Sequence, residues 1–413
     1  MEIAVINTLQ SQFDKRQGKF SKTYLKTRQK ALDYVIAHDF PGRKDEDYKY
    51  TPIDRILKKN FDFTKTVLTD RTDFDFKSSF YDLKGNHLVI CNGNYLPEKS
   101  IILDDICCSL QKGSNAQFKD VFGALNIAFC EKKLNIDVPE NYRSHPFFIY
   151  NFYDSQKRSV FGNPNIEIRV RTNSRIEVLE KTITQGENAV FINKNTTIHL
   201  ETGASANITK IQNYPKNIFQ VYNLDVNQEK ESLFNSNVYS FSGGLIRNNL
   251  NINQLGEHCE SHMHGLYLIT GNCHVDNHTT VDHTMPNCYS NELYKGILDE
   301  QAKGVFNGKI YVRPYAQKTN AFQSNQNINL SDSASIYTKP QLEIWADDVK
   351  CSHGCTIGQL DQEALFYLRS RGIDKPAAKA LILIAFAEQS LEYIPFDFVN
   401  AEIDVLIHQR LIG

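Results

Sequence analysis

GLIRNNLNINQL, residues 244–255, alternates apolar and polar side chains over much of its length, as a β-strand does. Similar runs recur between about residues 166 and 343, and Asn, Gly, Ser and Asp separate them; they include IEIRVRT, RIEVLEKTI, ANITKIQ, HGLYLI and GKIYVRPYA. Within this region only residues 291–298 have some helical character, so ordinary βαβ crossovers cannot join the strands. The pattern predicts a mainly β unit, which is a sandwich, a barrel or a β-solenoid.

Three features of this region favour stacked solenoid turns. Asn-Gly pairs, which are typical of hairpins, are almost absent between the runs, and asparagine is frequent. The runs also follow one another at intervals of roughly ten residues, although no exact repeat can be written. We therefore expect a β-solenoid.

Helical patterns flank the β region on both sides. The N-terminal pattern follows three- and four-residue steps through Tyr24, Arg28, Leu32 and Val35. On the C-terminal side, Asp361 is a predicted N-cap and Gly372 suits the C′ position, and two further helices follow from Asp374. We predict a helical region over residues 1–85, a β core over 86–358 and a helical domain over 359–413.

The composition excludes several classes of protein. With 46 basic and 48 acidic residues the net charge is -2, which gives no electrostatic reason to expect a nucleic-acid or anionic-membrane partner. The N-terminus lacks the pattern of a secretory signal, and the longest apolar run, residues 380–387, is far shorter than the roughly 20 residues of a membrane span. Nine cysteines without such a signal indicate reduced thiols. We expect a cytoplasmic protein without membrane contact.

Histidine is concentrated in one part of the chain. Six of the twelve histidines lie close together with two cysteines; they are His258, His262, His264, His274, His278 and His283. Gly256 followed by His262-Met263-His264 matches the opening of a cupin metal motif, but apolar residues stand where that motif has a glutamate. The alternatives are an independent His-rich, metal-dependent (cupin-like) enzyme and histidines with hydrogen-bonded ring nitrogens at the ends of β turns.

A second cluster lies in LEIWADDVKCSHGCTIGQLDQEALFYLRSRG, residues 342–372. If the strand continues through Gly354, alternate positions place Cys351, His353 and Cys355 on one side, where a soft metal ion or a nascent iron–sulfur species could be held. The alternative is a buried thiol pair beside a hydrogen-bonded histidine. The chain has no GxxxxGK[ST] loop, G-x-S-x-G elbow or H-E-x-x-H helix, so any nucleotide hydrolysis belongs to another protein.

Long stretches around this cluster resemble the SufB/SufD family of iron–sulfur cluster assembly proteins. They are NELYKGIL, GVFNGKIYVRPYAQKTNAFQSNQNINLS and KPQLEIWADDVKCSHG, which cover most of residues 291–354, followed by GQLDQEALFYLRSRGI. RKDEDYKYTPIDRIL, residues 43–57, also resembles the family, and together with CSHG it indicates the SufD branch.

The resemblance implies a right-handed parallel β-helix with helical domains at both ends. It implies a non-catalytic scaffold that pairs with SufB through the β-helix and docks the ATPase SufC on the C-terminal helices. A transient iron–sulfur cluster would then form at a subunit interface, with no cofactor in the isolated chain. Two such β-helices could also pair as a homodimer.

The resemblance also implies roles for the Cys-His cluster. By position in CSHG, His353 is the residue expected to hold transient iron together with SufB, and Cys351 is its neighbour. The family usually has a small residue such as Ala in place of Cys355. That thiol is either a neutral replacement, which we favour, or an additional ligand.

Overall fold

The computed structural model describes residues 3–19, 21–63, 66–67, 74–103, 106–112, 118–391 and 394–412. Its α-helices lie mainly at the two ends of the chain; they are α1 (Ile3–Arg16), α2 (Lys22–His38), α3 (Ile53–Asn60), α4 (Val121–Phe129), α5 (Gln362–Ser370), α6 (Lys375–Glu388) and α7 (Asp397–Leu411). None of the helices in these ranges is long and apolar enough to cross a membrane.

The strands occupy the middle of the chain. In order they are β1 (Thr66–Val67), β2 (Asn86–Cys91), β3 (Asn94–Tyr95), β4 (Cys107–Gln111), β5 (Lys133–Val138), β6 (Phe147–Asp154), β7 (Ser159–Gly162), β8 (Asn165–Val170), β9 (Arg175–Gln185), β10 (Val190–Leu200), β11 (Ser205–Asn213), β12 (Ile218–Gln228), β13 (Leu233–Ser242), β14 (Leu245–Gln254), β15 (Glu260–Ile269), β16 (His274–His283), β17 (Tyr289–Leu298), β18 (Lys303–Val312), β19 (Asn320–Asn329), β20 (Ser335–Ile344) and β21 (Lys350–Gly358).

These strands form a parallel β-solenoid. From β8 onward, even-numbered strands stack in one sheet and odd-numbered strands in the other, so each turn gives one strand to each sheet. The stacking is parallel and in register, with Val190 beside Ile218 on the next turn and Leu245 beside His274. The sequence prediction of a β-solenoid with helices at both ends is confirmed.

The helical character of residues 291–298 was misleading, because this segment lies in β17. Its side chains are buried in alternation up to Tyr294 and without interruption from there to Leu298, and the strand pairs in parallel with β15 on one side and β19 on the other. Pairing with two neighbouring strands therefore outweighs the local helix propensity of Glu, Leu and Lys.

One corner of the solenoid is built from residues in the left-handed conformation. Asn173, His258, Asn287 and Lys318 all have φ between 55° and 60° and lie two residues before a strand. The backbone N–H of each donates to a carbonyl of the following turn, as Asn287 does to Gln317 at 2.9 Å. Asparagine tolerates this conformation better than most residues, which accounts for part of its frequency here.

Among the described residues, three large apolar clusters and a smaller fourth one in the last turns hold the molecule together. Between the two sheets, the solenoid interior is filled by side chains such as Val226, Ile252 and Val281. The N-terminal helices cover the outer face of the even-numbered sheet, and α6 and α7 cover the outer face of the odd-numbered sheet. Helix α4, which the sequence pattern did not reveal, is buried on all sides in the N-terminal layer.

The C-terminal helices begin and end as the sequence predicts. The Asp361 side chain accepts hydrogen bonds from the backbone N–H groups of Glu363 and Ala364. Gly372 has φ 88°, which suits the left-handed C′ position after α5. Asp374 caps α6 through the N–H of Ala377 at 2.8 Å. These caps fix the direction in which the chain leaves the last strand.

Candidate functional site

The solenoid ends in two strands that each have a free edge. Strand β20 pairs only with β18 and β21 only with β19, within the part of the chain that the structure describes. Large apolar side chains at this end are exposed: Ile344 by 39%, Trp345 by 49% and Ile357 by 52%. An edge with unpaired backbone groups beside exposed apolar side chains is a surface on which another chain can dock. We call the edges of β20 and β21 the open end.

The Cys-His cluster lies on β21 at this open end. The strand runs through Gly354 without a shift of register, so Cys351, His353 and Cys355 share one face. In the same register on β19, their partners are Ala321, Gln323 and Asn325, which are buried between the sheets. The three side chains therefore follow buried residues of the previous turn in register and lie at the open end of the solenoid interior.

The three side chains differ in exposure. His353 and Cys355 are exposed, whereas Cys351 is partly covered. Burial raises the pKa of the Cys351 thiol, and a hydrogen bond to the backbone of Ala321 offsets only part of that rise. The Cys351 thiol is therefore neutral at pH 7 unless a metal ion or an added positive charge stabilises the thiolate.

This strand by itself offers only part of a metal site. Alternate residues on a strand are about 7 Å apart, too far for three of them to surround one ion. Over all the ranges described above, no three His, Cys, Asp or Glu side chains lie close enough together to hold a metal.

The histidine-rich region does not converge on a common point. His258 occupies a corner and His262 lies 3.7 Å from Glu260 on an outer face, whereas His283 lies inside, 2.9 Å from the Ser290 hydroxyl. Burial lowers the pKa of His264, His274 and His283 to about 4 in each case, so these rings are neutral at pH 7. A cupin-like arrangement of ligands is absent from the described residues.

The acidic N-terminal motif, residues 45–51, contacts the outer face of the even-numbered sheet. Its contacts reach strands of four successive turns. The Tyr48 ring packs on the Arg247 guanidinium of β14, and the Thr51 hydroxyl hydrogen-bonds to His274 of β16. Asp47 forms an ion pair with Lys309 of β18, and on β20 Glu46 pairs with Lys339 while Tyr50 stacks on Tyr337. The Tyr50 and Tyr337 rings are stacked with centroids 4.1 Å apart. The motif therefore braces the terminal turn from outside.

Arg247 is the centre of that contact. The side chain is buried, with 2% exposed. Its Nη1 donates to Asp276 Oδ2 at 2.6 Å and to the backbone carbonyl of Asp47 at 2.9 Å. The guanidinium carbon lies 3.8 Å from the centroid of the Tyr48 ring. His278 lies 3.0 Å from the other oxygen of Asp276. A buried charge pair with these additional contacts anchors the N-terminal layer to the solenoid.

Sequence reasoning missed two features near the open end. The first is a buried pair inside the solenoid, in which Gln323 Nε2 donates to Glu292 Oε2 at 2.7 Å. The second is a set of exposed apolar side chains on the C-terminal helices: Phe366 is 76% exposed and Tyr367 56% exposed on α5, and Leu381 is 48% exposed on α6. The polar residues at alternate positions of β19 signalled the first, and the unbroken LFY of α5 signalled the second.

Comparison with known proteins gives consistent matches along the chain. The family model "SUF system FeS cluster assembly, SufBD core domain" matches residues 152–386, and "SufBD protein N-terminal region" matches residues 6–121. An iron–sulfur cluster assembly SufBD family protein of Synechocystis is 29% identical over 93% of this chain and 90% of its own length. The iron–sulfur cluster assembly protein SufD of Escherichia coli is 27% identical, with 93% and 92% covered. A SufBD family protein of Mycobacterium tuberculosis is 30% identical over 44% of this chain and 48% of its own.

Proposed function

The chain belongs to the SufBD family of the SUF iron–sulfur cluster assembly system, and from that premise we propose that it acts as a SufD-type scaffold subunit. In this role it performs no catalysis of its own and holds a nascent cluster jointly with a SufB-type partner. The observation that carries the proposal is the position of His353 and Cys351 on a free strand edge, where one chain supplies only part of a site.

The open end supports docking of a second β-helix. The free edges of β20 and β21 present backbone donors and acceptors to a partner strand, and Trp345 and Ile357 supply apolar surface beside them. A SufB-type β-helix fits this surface, because it would continue both sheets across the joint. Without that partner, a second copy of this chain could occupy the same edge as a homodimer.

His353 is the proposed ligand or proton acceptor for iron or sulfide at this joint. A neutral imidazole binds iron without the negative charge of a thiolate and leaves when it is protonated, which suits a cluster that must be released. Cys351 is the second ligand in this proposal, since its thiol lies one alternate position away and is partly covered. Cys355 is exposed farther along the strand, and we assign it no required role.

An ATPase of the SufC type is the proposed second partner. The chain has no GxxxxGK[ST] loop of its own, and the C-terminal unit, which we place at residues 359–413, exposes Phe366, Tyr367 and Leu381. Exposed aromatic side chains often supply the anchors of a protein–protein interface. Movement of an ATPase bound there would reach β21 directly, because α5 follows that strand in the chain.

Two measurements test the proposal. Co-expression with the SufB-type and SufC-type proteins of the same organism should yield a complex of all three, and absence of a complex would overturn the scaffold role. In cells without another assembly route, His353→Ala should reduce cluster maturation strongly, whereas His38→Ala, an exposed histidine on α2, should leave it unchanged. Normal maturation with His353→Ala would exclude the assigned ligand.

A further inference from the structure

We infer that Gln323 and Glu292 position the imidazole of His353. In this proposal the His353 ring turns inward and donates one N–H to Gln323 Oε1, an atom without a hydrogen-bond partner among the described residues. The lone pair of the other ring nitrogen then faces the open end. The inference rests on the proposed function of His353 and adds two positioning residues to it.

The three residues form one column inside the solenoid. Glu292 on β17 is the register partner of Gln323 on β19, and Gln323 is the register partner of His353 on β21. Glu292 and Gln323 are 1% and 3% exposed, and Tyr294, two residues from Glu292, packs in the interior core. Successive strands of a sheet lie about 4.8 Å apart, so the side chain of His353 is the next one above Gln323.

The Gln323 amide has one satisfied and one unsatisfied side. Its Nε2 donates to Glu292 Oε2 at 2.7 Å on the preceding turn, which turns Oε1 away from Glu292. Among the residues that the structure describes, Oε1 is buried without a hydrogen-bond partner. Leaving a buried acceptor unpaired costs about 1–3 kcal/mol, so a donor from the adjacent turn is favoured. An imidazole N–H at His353 is such a donor.

Two neighbours bear on the position of this amide. When Glu292 is ionised its carboxylate only accepts hydrogen bonds, so it favours the orientation in which Nε2 faces it and Oε1 faces away. On the opposite sheet, Gly308 leaves the space that the amide occupies, since a Cβ there would lie 2.2 Å from Gln323 Nε2. With Glu292 ionised, the amide therefore keeps Nε2 on Glu292 and leaves Oε1 free to accept from the following turn.

A fixed tautomer has a direct consequence for metal binding. A metal-binding histidine uses one ring nitrogen for the metal, and the group that accepts the N–H of the other nitrogen sets the tautomer and the ring orientation. Carboxylates often fill this role and make the ligand more basic, whereas Gln323 is a neutral acceptor. A neutral acceptor orients the ring and leaves it a weaker ligand, which suits transient binding of iron.

The test measures the tautomer directly. Long-range ¹H–¹⁵N correlation spectra of the full chain, with ¹⁵N-labelled histidine and His353 assigned through His353→Ala, should show a single neutral tautomer. Gln323→Leu should produce a mixture of both tautomers. Gly308→Ala should do the same by displacing the amide, and it provides a second variant if the leucine disturbs folding. Gly354→Ala, which has nothing within 4 Å of the added carbon, is the control and should leave the spectrum unchanged.

Iron affinity gives an independent readout. In the complex with the SufB-type partner, Gln323→Leu should weaken binding of Fe²⁺ about tenfold, at the low end of the effects of losing such an outer contact. An unchanged tautomer in both Gln323→Leu and Gly308→Ala would overturn the positioning role. An unchanged tautomer together with impaired maturation in His353→Ala refutes only the positioning role. Normal maturation in His353→Ala refutes the proposed function itself.

Discussion

Replacing Arg247 with methionine should destabilise the protein strongly, because it removes a buried charge and leaves its partner behind. Arg247 and Asp276 are 2% and 0% exposed and lie 2.6 Å apart. Methionine keeps much of the apolar part of the arginine side chain but has no charge to pair with the carboxylate of Asp276. After the change Asp276 retains His278, at 3.0 Å, and the Thr51 hydroxyl as polar neighbours, but no permanent positive charge.

The expected loss can be worked out from these contacts. Breaking a buried ion pair by removing one member costs about 3–5 kcal/mol. The desolvated stacking of the guanidinium on Tyr48 contributes up to about 2 kcal/mol more. Since contributions at one residue are not strictly additive, we expect a decrease of about 5 kcal/mol in the free energy of unfolding.

Urea denaturation of wild type and Arg247→Met measures this loss, and hydrogen exchange of residues 45–51 shows whether the N-terminal motif has detached. The matched control is Arg171→Met, because Arg171, directly after β8, lies 2.7 Å from Asp137 on β5, but these side chains are 44% and 35% exposed. Exposed ion pairs contribute about 0–1 kcal/mol to the free energy of unfolding, so this control should lose little stability. Equal losses in the two variants, with unchanged exchange at residues 45–51, would refute the anchoring role of Arg247.

The same pair predicts a dependence on pH. Burial by itself raises the pKa of Asp276, but the Arg247 guanidinium and His278 outweigh this effect and hold the pKa well below its usual range. An acid whose pKa is depressed by folding stabilises the protein above its unfolded pKa of about 3.9 and loses that contribution as the pH falls through the folded value. The free energy of unfolding of the wild type should therefore fall below about pH 4. In Arg247→Met, where burial acts on Asp276 without the guanidinium, protonation relieves the buried charge, so the stability difference between the two proteins should narrow as the pH falls.

Three further predictions concern the interior, the exposed side chains of the C-terminal helices and the thiols. Burial raises the pKa of Glu292 to about 7, so the wild type loses stability as this acid ionises with rising pH. The free energy of unfolding of Glu292→Gln, relative to wild type, should therefore increase by about 3 kcal/mol between pH 4 and pH 8. A difference in urea unfolding that does not change with pH would contradict this. Phe366→Ser should weaken binding of the SufC-type ATPase at least tenfold in calorimetry, whereas the exposed Tyr315→Ser should not. In maturation assays Cys351→Ala should impair cluster formation and Cys355→Ala should not; the reverse order would refute the assignment.

The solenoid was predictable because its signal is local. Alternation within each strand and the absence of helical crossovers are visible in runs such as residues 244–255. Helix α4 escaped notice because it is apolar all round, so it has no amphipathic period to detect. The left-handed corner residues were equally hidden, since Asn287, Lys318 and His258 share a backbone conformation and no side-chain chemistry.

The candidate site was predictable only where its residues are neighbours in the chain. The CSHG motif identified His353 and Cys351, and period-two geometry placed them on one face. The pair Gln323 and Glu292 was not accessible in this way, because the residue that stacks beneath His353 depends on loop lengths that differ from turn to turn. Leu245 pairs with His274 but Lys303 pairs with Ser335, so no constant offset relates one turn to the next.

The contacts of the N-terminal motif explain why two distant stretches carry the family resemblance together. Residues 43–57 and 291–354 meet in the folded chain, where Glu46 pairs with Lys339 and Tyr50 stacks on Tyr337 of β20. A terminal strand with one free edge would otherwise be held only by β18 and the interior core. The motif adds an ion pair and a ring stack to β20 from outside and occupies neither the free edge of the strand nor its inner face. The last turn is therefore stabilised by a contact that leaves the proposed docking edge available.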